Sequence, residues 1–114
     1  MSRLVATSPC MTDLSKLAGT VVLDFTARWC GPCKTLSATL ATIEREYTDR
    51  IRIVAIDVDD EPMLAQQFSV RSMPTLVLWR DDHEVGRVVG ARPRAFIAGM
   101  IDRALAGDVA ITCP

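Results

Sequence analysis

The most distinctive stretch of this sequence is Trp29-Cys30-Gly31-Pro32-Cys33-Lys34. An apolar run that contains a single carboxylate, at residues 21–25, precedes it. Beyond it, apolar side chains recur at the spacing of a helix that packs on a sheet, namely Leu36, Leu40, Ile43 and Tyr47. Cys30 and Cys33 therefore lie at or near the first turn of a predicted helix and can close a small reversible disulfide. Unpaired backbone N–H groups and the helix dipole favour a thiolate there, which is the species that attacks disulfides.

Length and composition predict one globular domain. The chain has 114 residues, of which 49% are hydrophobic, enough for a core without metal or disulfide staples. We expect a single domain over residues 1–114, with weaker signals in the first 19 residues and a C-terminal tail at 108–114. The formal net charge of −1 offers no electrostatic footprint for nucleic acid or an anionic membrane, so we expect neither as a partner. We also expect a monomer.

The N-terminal region and the cysteine content predict a cytoplasmic protein. No apolar run approaches the ~20 residues that span a bilayer, and residues 1–19 lack the uninterrupted apolar segment of a secretory signal. In a reducing compartment, four cysteines are poor candidates for a structural disulfide framework. A closely spaced pair is more often metal-binding or redox-active there.

The pattern of apolar residues and turn signals predicts an α/β fold. Strands are predicted at residues 3–6, 20–26, 51–58, 75–79 and 84–89. Helices are predicted at residues 12–17, 33–47, 61–68 and 93–105, the last of them followed by Gly107 as a terminator. A strand, a long helix and a second strand form a right-handed βαβ crossover, and the turn at 80–83 predicts an antiparallel hairpin. We therefore expect a central mixed sheet of four to five strands with helices on both faces.

Four motifs resemble the thioredoxin family in order and in spacing. They are Asp24-Phe25, residues 29–34, Met73-Pro74-Thr75 and Val89-Gly90-Ala91. The match covers nearly all of residues 21–105. The resemblance implies the thioredoxin fold and a thiol–disulfide oxidoreductase that reduces protein disulfides. It further implies that Cys30 is the attacking thiolate and Cys33 the resolving thiol of one redox-active disulfide.

The resemblance also implies a catalytic role for Asp24. In the family this acid lies beneath the two sulfurs and moves a proton to or from the resolving cysteine, here Cys33. Burial raises the pKa of a carboxyl group toward neutrality, as such a role requires. From the residues alone, Asp24 could instead cap a turn or bind backbone at a strand end. Many thioredoxins carry a lysine on the neighbouring strand, and here the aligned residue is Ala55, which predicts a more strongly raised pKa for Asp24.

A substrate groove beside the sulfurs is the next implication of the resemblance. The family pattern predicts a cis Met73–Pro74 peptide, although most X-Pro bonds are trans. The backbone of Met73 would then pair with an extended client segment. Thr26 stands where many thioredoxins have a second tryptophan, which predicts a less bulky wall. The groove is predicted to comprise Trp29, Gly31, Pro32, Met73, Pro74, Gly90 and Ala91. This patch is apolar and has no charged side chains that would select clients by charge.

No bound cofactor is expected, because no G-x-G-x-x-G motif follows a predicted strand. The resemblance implies that a separate NADPH-dependent flavoenzyme, thioredoxin reductase, supplies electrons. It implies disulfide-containing client proteins as the other partners. The expected roles are therefore electron transport and cell redox homeostasis in the cytoplasm.

Several other interpretations stay open at this point. Tetrahedral zinc needs about four ligands, and Cys10, Cys113 and His83 form no second close pair, so we expect no metal. Cys10 and Cys113 are interpreted as a loop thiol and a tail thiol, and His83 as an exposed turn residue. The chain could be an oxidant or isomerase of the same fold. It could also be a binding module or partner subunit whose thiols are incidental.

Overall fold

The computed structural model of the protein describes residues 4–6, 19–106 and 111–113. In chain order its elements are β1 (Leu4–Ala6), β2 (Thr20–Thr26), α1 (Gly31–Glu46), β3 (Ile51–Asp57), α2 (Pro62–Gln67), β4 (Thr75–Arg80), β5 (His83–Val89), α3 (Arg94–Leu105) and β6 (Ile111–Cys113). The strands form one sheet in the order β1-β3-β2-β4-β5-β6. β3 is parallel to both β1 and β2, and β4 is antiparallel to β2 and β5. The mixed sheet of an α/β fold is therefore confirmed.

The strand count differs from the prediction at the C-terminal end. The sheet has six strands, and the additional one, β6, comes from the segment that we interpreted as a tail. It pairs in parallel with β5 from Gly86 to Val88. The pairing of this segment depends on the open edge of β5, which its own sequence does not reveal. The helix predicted at 12–17 and the terminator Gly107 lie outside the described residues.

The long helix begins earlier than its apolar pattern indicated. α1 begins at Gly31, and Cys30 is its N-cap residue. Proline is tolerated in the first turn of a helix because it has no N–H to leave unpaired. The two residues between the cysteines are therefore already helical, which the prediction of a start at residue 33 had missed.

Helices cover both faces of the sheet, as predicted. On one face, α1 and α3 pack on alternate strand residues such as Val22, Ile53 and Leu76. On the other, α2 packs on Leu23 and its alternating neighbours. Because side chains along a strand alternate between faces, Asp24 lies on the same face as Val22, under α1. The sheet thus directs this carboxylate toward the helix that carries both cysteines.

A buried tyrosine links α1 to α3 at the end remote from the cysteines. The hydroxyl of Tyr47 donates a hydrogen bond to Oδ1 of Asp102 at 2.6 Å and lies 3.2 Å from the carbonyl oxygen of Ala98. Burial, reinforced by the bond to the Asp102 carboxylate, raises the pKa of Tyr47 to about 12. An ion pair between Arg94 and Glu46 joins the same two helices.

We expect this contact to make stability depend on pH at the alkaline end. A folded-state pKa above the unfolded value of 10.0 gives a contribution that is complete below pH 10 and is lost as the pH rises toward 12. At pH 8, Tyr47→Phe should lower the free energy of unfolding by about 1–2 kcal/mol. That difference should narrow above pH 10, as measured by urea unfolding.

The chain contains one tyrosine, so tyrosinate absorbance reports this residue alone. Asp102→Asn is the matched variant, since it removes the charge and keeps the side-chain size; it should lower the native midpoint. A Tyr47 ionisation midpoint in the folded protein close to that of the unfolded chain would contradict the expectation.

Candidate active site

The first turn of α1 presents a backbone donor to a sulfur. Cys30 has an extended backbone, with φ −92° and ψ 109°, and its Sγ accepts a hydrogen bond from the N–H of Cys33. The N–Sγ distance is 3.2 Å and the contact is buried. Pro32 has no N–H, so Cys33 supplies this donor within the first turn. A hydrogen bond to the charged form and the positive end of the helix dipole both stabilise an anion, and here both act on the sulfur of Cys30.

The two cysteines form a closed disulfide in the structure. Their Cα atoms are 5.4 Å apart, and the residues are only 5% and 4% exposed. They pack with Ala27 and, at the edge of the cluster, with Val58 and Met73. The disulfide is therefore largely shielded from solvent.

The loop that contains Pro74 and the turn at Gly90 are joined by a backbone hydrogen bond close to the disulfide. The Met73–Pro74 peptide is cis, as the resemblance implied, and Met73 packs against the cysteine cluster. The N–H of Gly90 donates to the carbonyl oxygen of Pro74 at 2.9 Å. Gly90 has φ +91°, a conformation that glycine adopts without steric cost. The structure thus brings together three of the predicted groove residues, and the exposed Ala91 follows directly.

The residue before Cys30, Trp29, is an exposed aromatic ring that a hydrogen bond holds in place. Trp29 is 67% exposed, and its Nε1 donates to Oδ2 of Asp59 at 3.0 Å. Gly31 and Pro32 are exposed beside it. Sequence reasoning missed Asp59. Its signal was the acidic run at 57–60, since the carboxyl ends of the parallel strands β2 and β3 meet at one edge of the sheet.

Asp24 is buried within the sheet, with only 3% of the residue exposed. In the strand register it lies opposite Ala55 on β3 and Leu76 on β4. The position occupied by a lysine in many thioredoxins therefore carries a methyl group here, next to the carboxylate.

A cavity of about 430 Å³ connects Asp24 with the helix that bears the cysteines. Asp24 and Cys33 both line it, and the remaining lining residues are Thr26, Ala27, Arg28, Lys34, Ser37 and Asp57. Arg28 and Lys34 are exposed, so the cavity reaches the protein surface at these two residues. A cavity of this size that is lined in part by charged and hydroxyl side chains can hold water.

The remaining candidates lie elsewhere or outside the described residues. His83 is exposed at the start of β5, with Nδ1 3.0 Å from the carbonyl oxygen of Asp81. Cys113 belongs to β6, and Cys10 is outside the described part of the chain. Within residues 4–6, 19–106 and 111–113, no group of three or more metal-ligating side chains is assembled. In the same residues, no helix has the length and apolar character of a membrane span.

A closed Cys-x-x-Cys pair at a helix start, facing a cis-proline loop on a mixed sheet, defines a thiol–disulfide oxidoreductase. The family model for thioredoxin matches residues 5–103, and the chain belongs to the thioredoxin family. Thioredoxin 1 of Synechococcus elongatus is 38% identical over 85 residues, covering 75% of this chain and 79% of that protein. A thioredoxin of Chlamydia caviae is 41% identical over 85 residues, covering 75% and 82%.

Solved structures agree with these relatives. Mitochondrial thioredoxin 3 of Saccharomyces cerevisiae, in its oxidised form, superposes with a TM-score of 0.74 at 34% identity. The match covers 88% of this chain and 94% of that one. Family membership and the paired cysteines identify the chain as a protein-disulfide reductase that acts through thiol–disulfide exchange.

We expect the thiol of Cys30 in the reduced protein to ionise more readily than free cysteine, whose pKa is about 8.5. The backbone donor and the helix dipole at Cys30 are the reason. Ultraviolet thiolate absorbance against pH measures this in a Cys10→Ser, Cys113→Ser background. The rate of alkylation at neutral pH is an independent measure.

A Cys30→Ser variant in the same background assigns the low-pH titration to that sulfur. Titration of Cys30 at the free-cysteine value, with slow alkylation at pH 7, would contradict the expectation.

Proposed function

We propose that Cys30 attacks the disulfides of client proteins and that Cys33 resolves the resulting mixed disulfide. The observation that carries this proposal is the hydrogen bond from the N–H of Cys33 to Sγ of Cys30. It favours the thiolate on the first cysteine, and the thiolate is the attacking species. The second cysteine is one helical turn along and within disulfide distance.

The exchange proceeds in two balanced steps. The Cys30 thiolate bonds to one client sulfur, the client disulfide breaks, and the other client sulfur leaves as a thiolate that takes a proton. Cys33 then loses its proton and attacks the sulfur of Cys30, which releases the first client sulfur as a thiol. Two electrons and two protons reach the client, and the Cys30–Cys33 disulfide seen in the structure is the product.

Asp24 accepts the proton of Cys33 in the second step. Its burial and the cavity it shares with Cys33 support this role. The two groups lie on facing elements, β2 and α1, and water in the cavity provides the path between them. A carboxylate in such a site is a better base than one in bulk water, because burial disfavours its charge.

The client lies along the groove beside the disulfide. Trp29, Gly31 and Pro32 form one wall, and Met73, Pro74, Gly90 and Ala91 form the other. Glycines and small side chains let a peptide backbone approach closely, and the backbone ahead of β4 offers pairing groups to an extended segment. Apolar contact suits clients of varied sequence.

Reopening the disulfide needs an external electron donor. In this proposal the donor is thioredoxin reductase, an NADPH-dependent flavoenzyme, and no cofactor resides on the chain itself. The chain acts as a monomeric single domain, residues 1–114, in the cytoplasm, where it takes part in electron transport and redox homeostasis. The family membership supports these assignments.

We expect Cys33→Ser to accumulate mixed disulfides with clients, because the resolving thiol is absent. Wild type should accelerate the reduction of insulin by dithiothreitol, and Cys33→Ser should lose that turnover while forming adducts that dithiothreitol releases. Non-reducing electrophoresis with mass spectrometry locates the bond at Cys30. The matched controls are Cys30→Ser, which should trap nothing, and Cys10→Ser with Cys113→Ser, which should keep full turnover.

Trapping through a different cysteine would overturn the assigned roles. A Cys30→Ser, Cys33→Ser protein that still binds the same clients, with no loss of phenotype, would favour the binding-module alternative. A strongly oxidising reduction potential for the pair would instead favour the oxidant or isomerase.

We expect Asp24→Asn to slow client reduction near neutral pH by about 10- to 100-fold, in the range of a lost general base. The amide keeps the size of the side chain but cannot accept the proton. Stopped-flow measurement of the resolving step isolates this effect from the first attack. Circular dichroism and urea unfolding check that the fold is intact. A resolving rate equal to that of wild type would remove the proton-transfer role and leave the roles of the cysteines standing.

A further inference from the structure

An arginine is anchored against the cavity that Asp24 and Cys33 share. Nε of Arg28 is 3.9 Å from Oδ2 of Asp57, and its Nη2 is 3.3 Å from Oδ1 of Asp60. The other oxygen of Asp57, Oδ1, accepts the backbone N–H of Asp59 at 2.8 Å. Asp57 is therefore held on both oxygens, and its side chain is only 13% exposed. Such an anchor keeps the guanidinium of Arg28 close to the cavity wall.

The strand register places Asp57 close to Asp24. Asp24 pairs with Ala55, and Thr26 pairs with Asp57. Residues two apart on a strand share a face, so Asp57 lies on the same face as Asp24, one strand across and two residues along. Strand spacing and rise put the two Cα positions roughly 8 Å apart. Two carboxylates thus line one cavity, and negative charge on Asp57 disfavours the ionisation of Asp24.

Charged side chains at the rim of the cavity share its lining with Asp24. On β3 its direct neighbour is Ala55, and on β4 it is Leu76. α1 contributes Cys33, Ser37 and the exposed Lys34 to the lining, and the buried side chains of α3 on this face are apolar. Among the described residues that line the cavity, the charged groups beside Asp24 are Arg28, Lys34 and Asp57.

We propose that Arg28, anchored by Asp57 and Asp60, is a positioning residue that sets the protonation of Asp24 and so the pH range of resolution by Cys33. Its positive charge offsets the second carboxylate, Asp57, at a site where β3 carries no cation. The chain thereby supplies from the cavity rim the charge that Ala55 cannot supply from within the sheet. This inference rests on the proposed role of Asp24.

The test is the titration of the Asp24 side-chain carboxyl by carbon-13 NMR at low ionic strength. The protein is kept oxidised, so that Cys30 and Cys33 do not titrate. Arg28→Gln should raise the midpoint of the Asp24 titration by about half a unit to one unit, as expected for the loss of one exposed charge that lines the same cavity. Arg28→Lys, which keeps the charge, should restore most of the wild-type midpoint. The effect should shrink at high salt, because the Arg28 side chain is 74% exposed.

A second substitution tests the part played by Asp57. Adding Asp57→Asn to Arg28→Gln should lower the Asp24 midpoint again, because the negative charge of Asp57 no longer disfavours ionisation of Asp24. The double variant is used because Asp57→Asn alone would also release Arg28 from its anchor. Arg45→Gln is the matched control. It makes the same charge change on α1, about 18 Å along the helix from Cys33, and should leave the midpoint unchanged.

The outcomes separate this inference from the proposed function. An Arg28→Gln midpoint that moves no more than that of Arg45→Gln overturns the role of Arg28. A double variant that titrates like Arg28→Gln alone overturns the role of Asp57. In Arg28→Gln, the pH profile of the resolving step should shift together with the Asp24 titration midpoint. In an Asp24→Asn background, Arg28→Gln should no longer change that pH profile. If Asp24→Asn resolves at the wild-type rate, the proposed role of Asp24 fails, while the NMR titration still decides whether Arg28 controls its charge.

Discussion

The hydrogen bond from the backbone N–H of Cys33 to the sulfur of Cys30 ties the geometry of α1 to the proposed chemistry. It exists because the helix begins at Gly31 and leaves Cys30 as its N-cap residue. An N-cap side chain normally carries an oxygen that accepts a first-turn N–H. Here a sulfur takes that place. The donor that stabilises the start of the helix is thus the same donor that favours negative charge on the sulfur.

The parallel pairing of β2 with β3 positions the two loops that surround the start of α1. Both strands end at the same edge of the sheet, so the loops that follow them lie side by side. One loop leads into the cysteines and carries Arg28 and Trp29, and the other carries Asp59 and Asp60. Their contacts, an indole bonded to one carboxylate and a guanidinium paired with another, cross between the loops. The sheet therefore fixes the groove wall and the cavity rim together.

How much the sequence predicts depends on whether a residue belongs to a pattern. The strands that contain Asp24 and Ile53 were predictable, because strands buried on both faces are continuous apolar runs. Helix α1 was predictable from the helical spacing of its apolar residues. The cysteine pair and the cis Met73–Pro74 peptide followed from motifs. Arg28, Asp57 and Asp59 were not predicted, since charged residues just beyond strand ends follow no periodic pattern. Their partners depend on which loops the fold makes adjacent. β6 was missed for a related reason, because its pairing depends on an open edge of β5 that only the fold supplies.

The contact between Trp29 and Asp59 has a thermodynamic consequence for recognition. Large aromatic rings on a surface offer much contact area, but a freely rotating side chain loses entropy when a partner immobilises it. The indole here is already restrained by its bond to Asp59, although two-thirds of the residue is exposed. A client that binds at the proposed groove would therefore meet a preorganised ring, and its association would cost little rotamer freedom at Trp29.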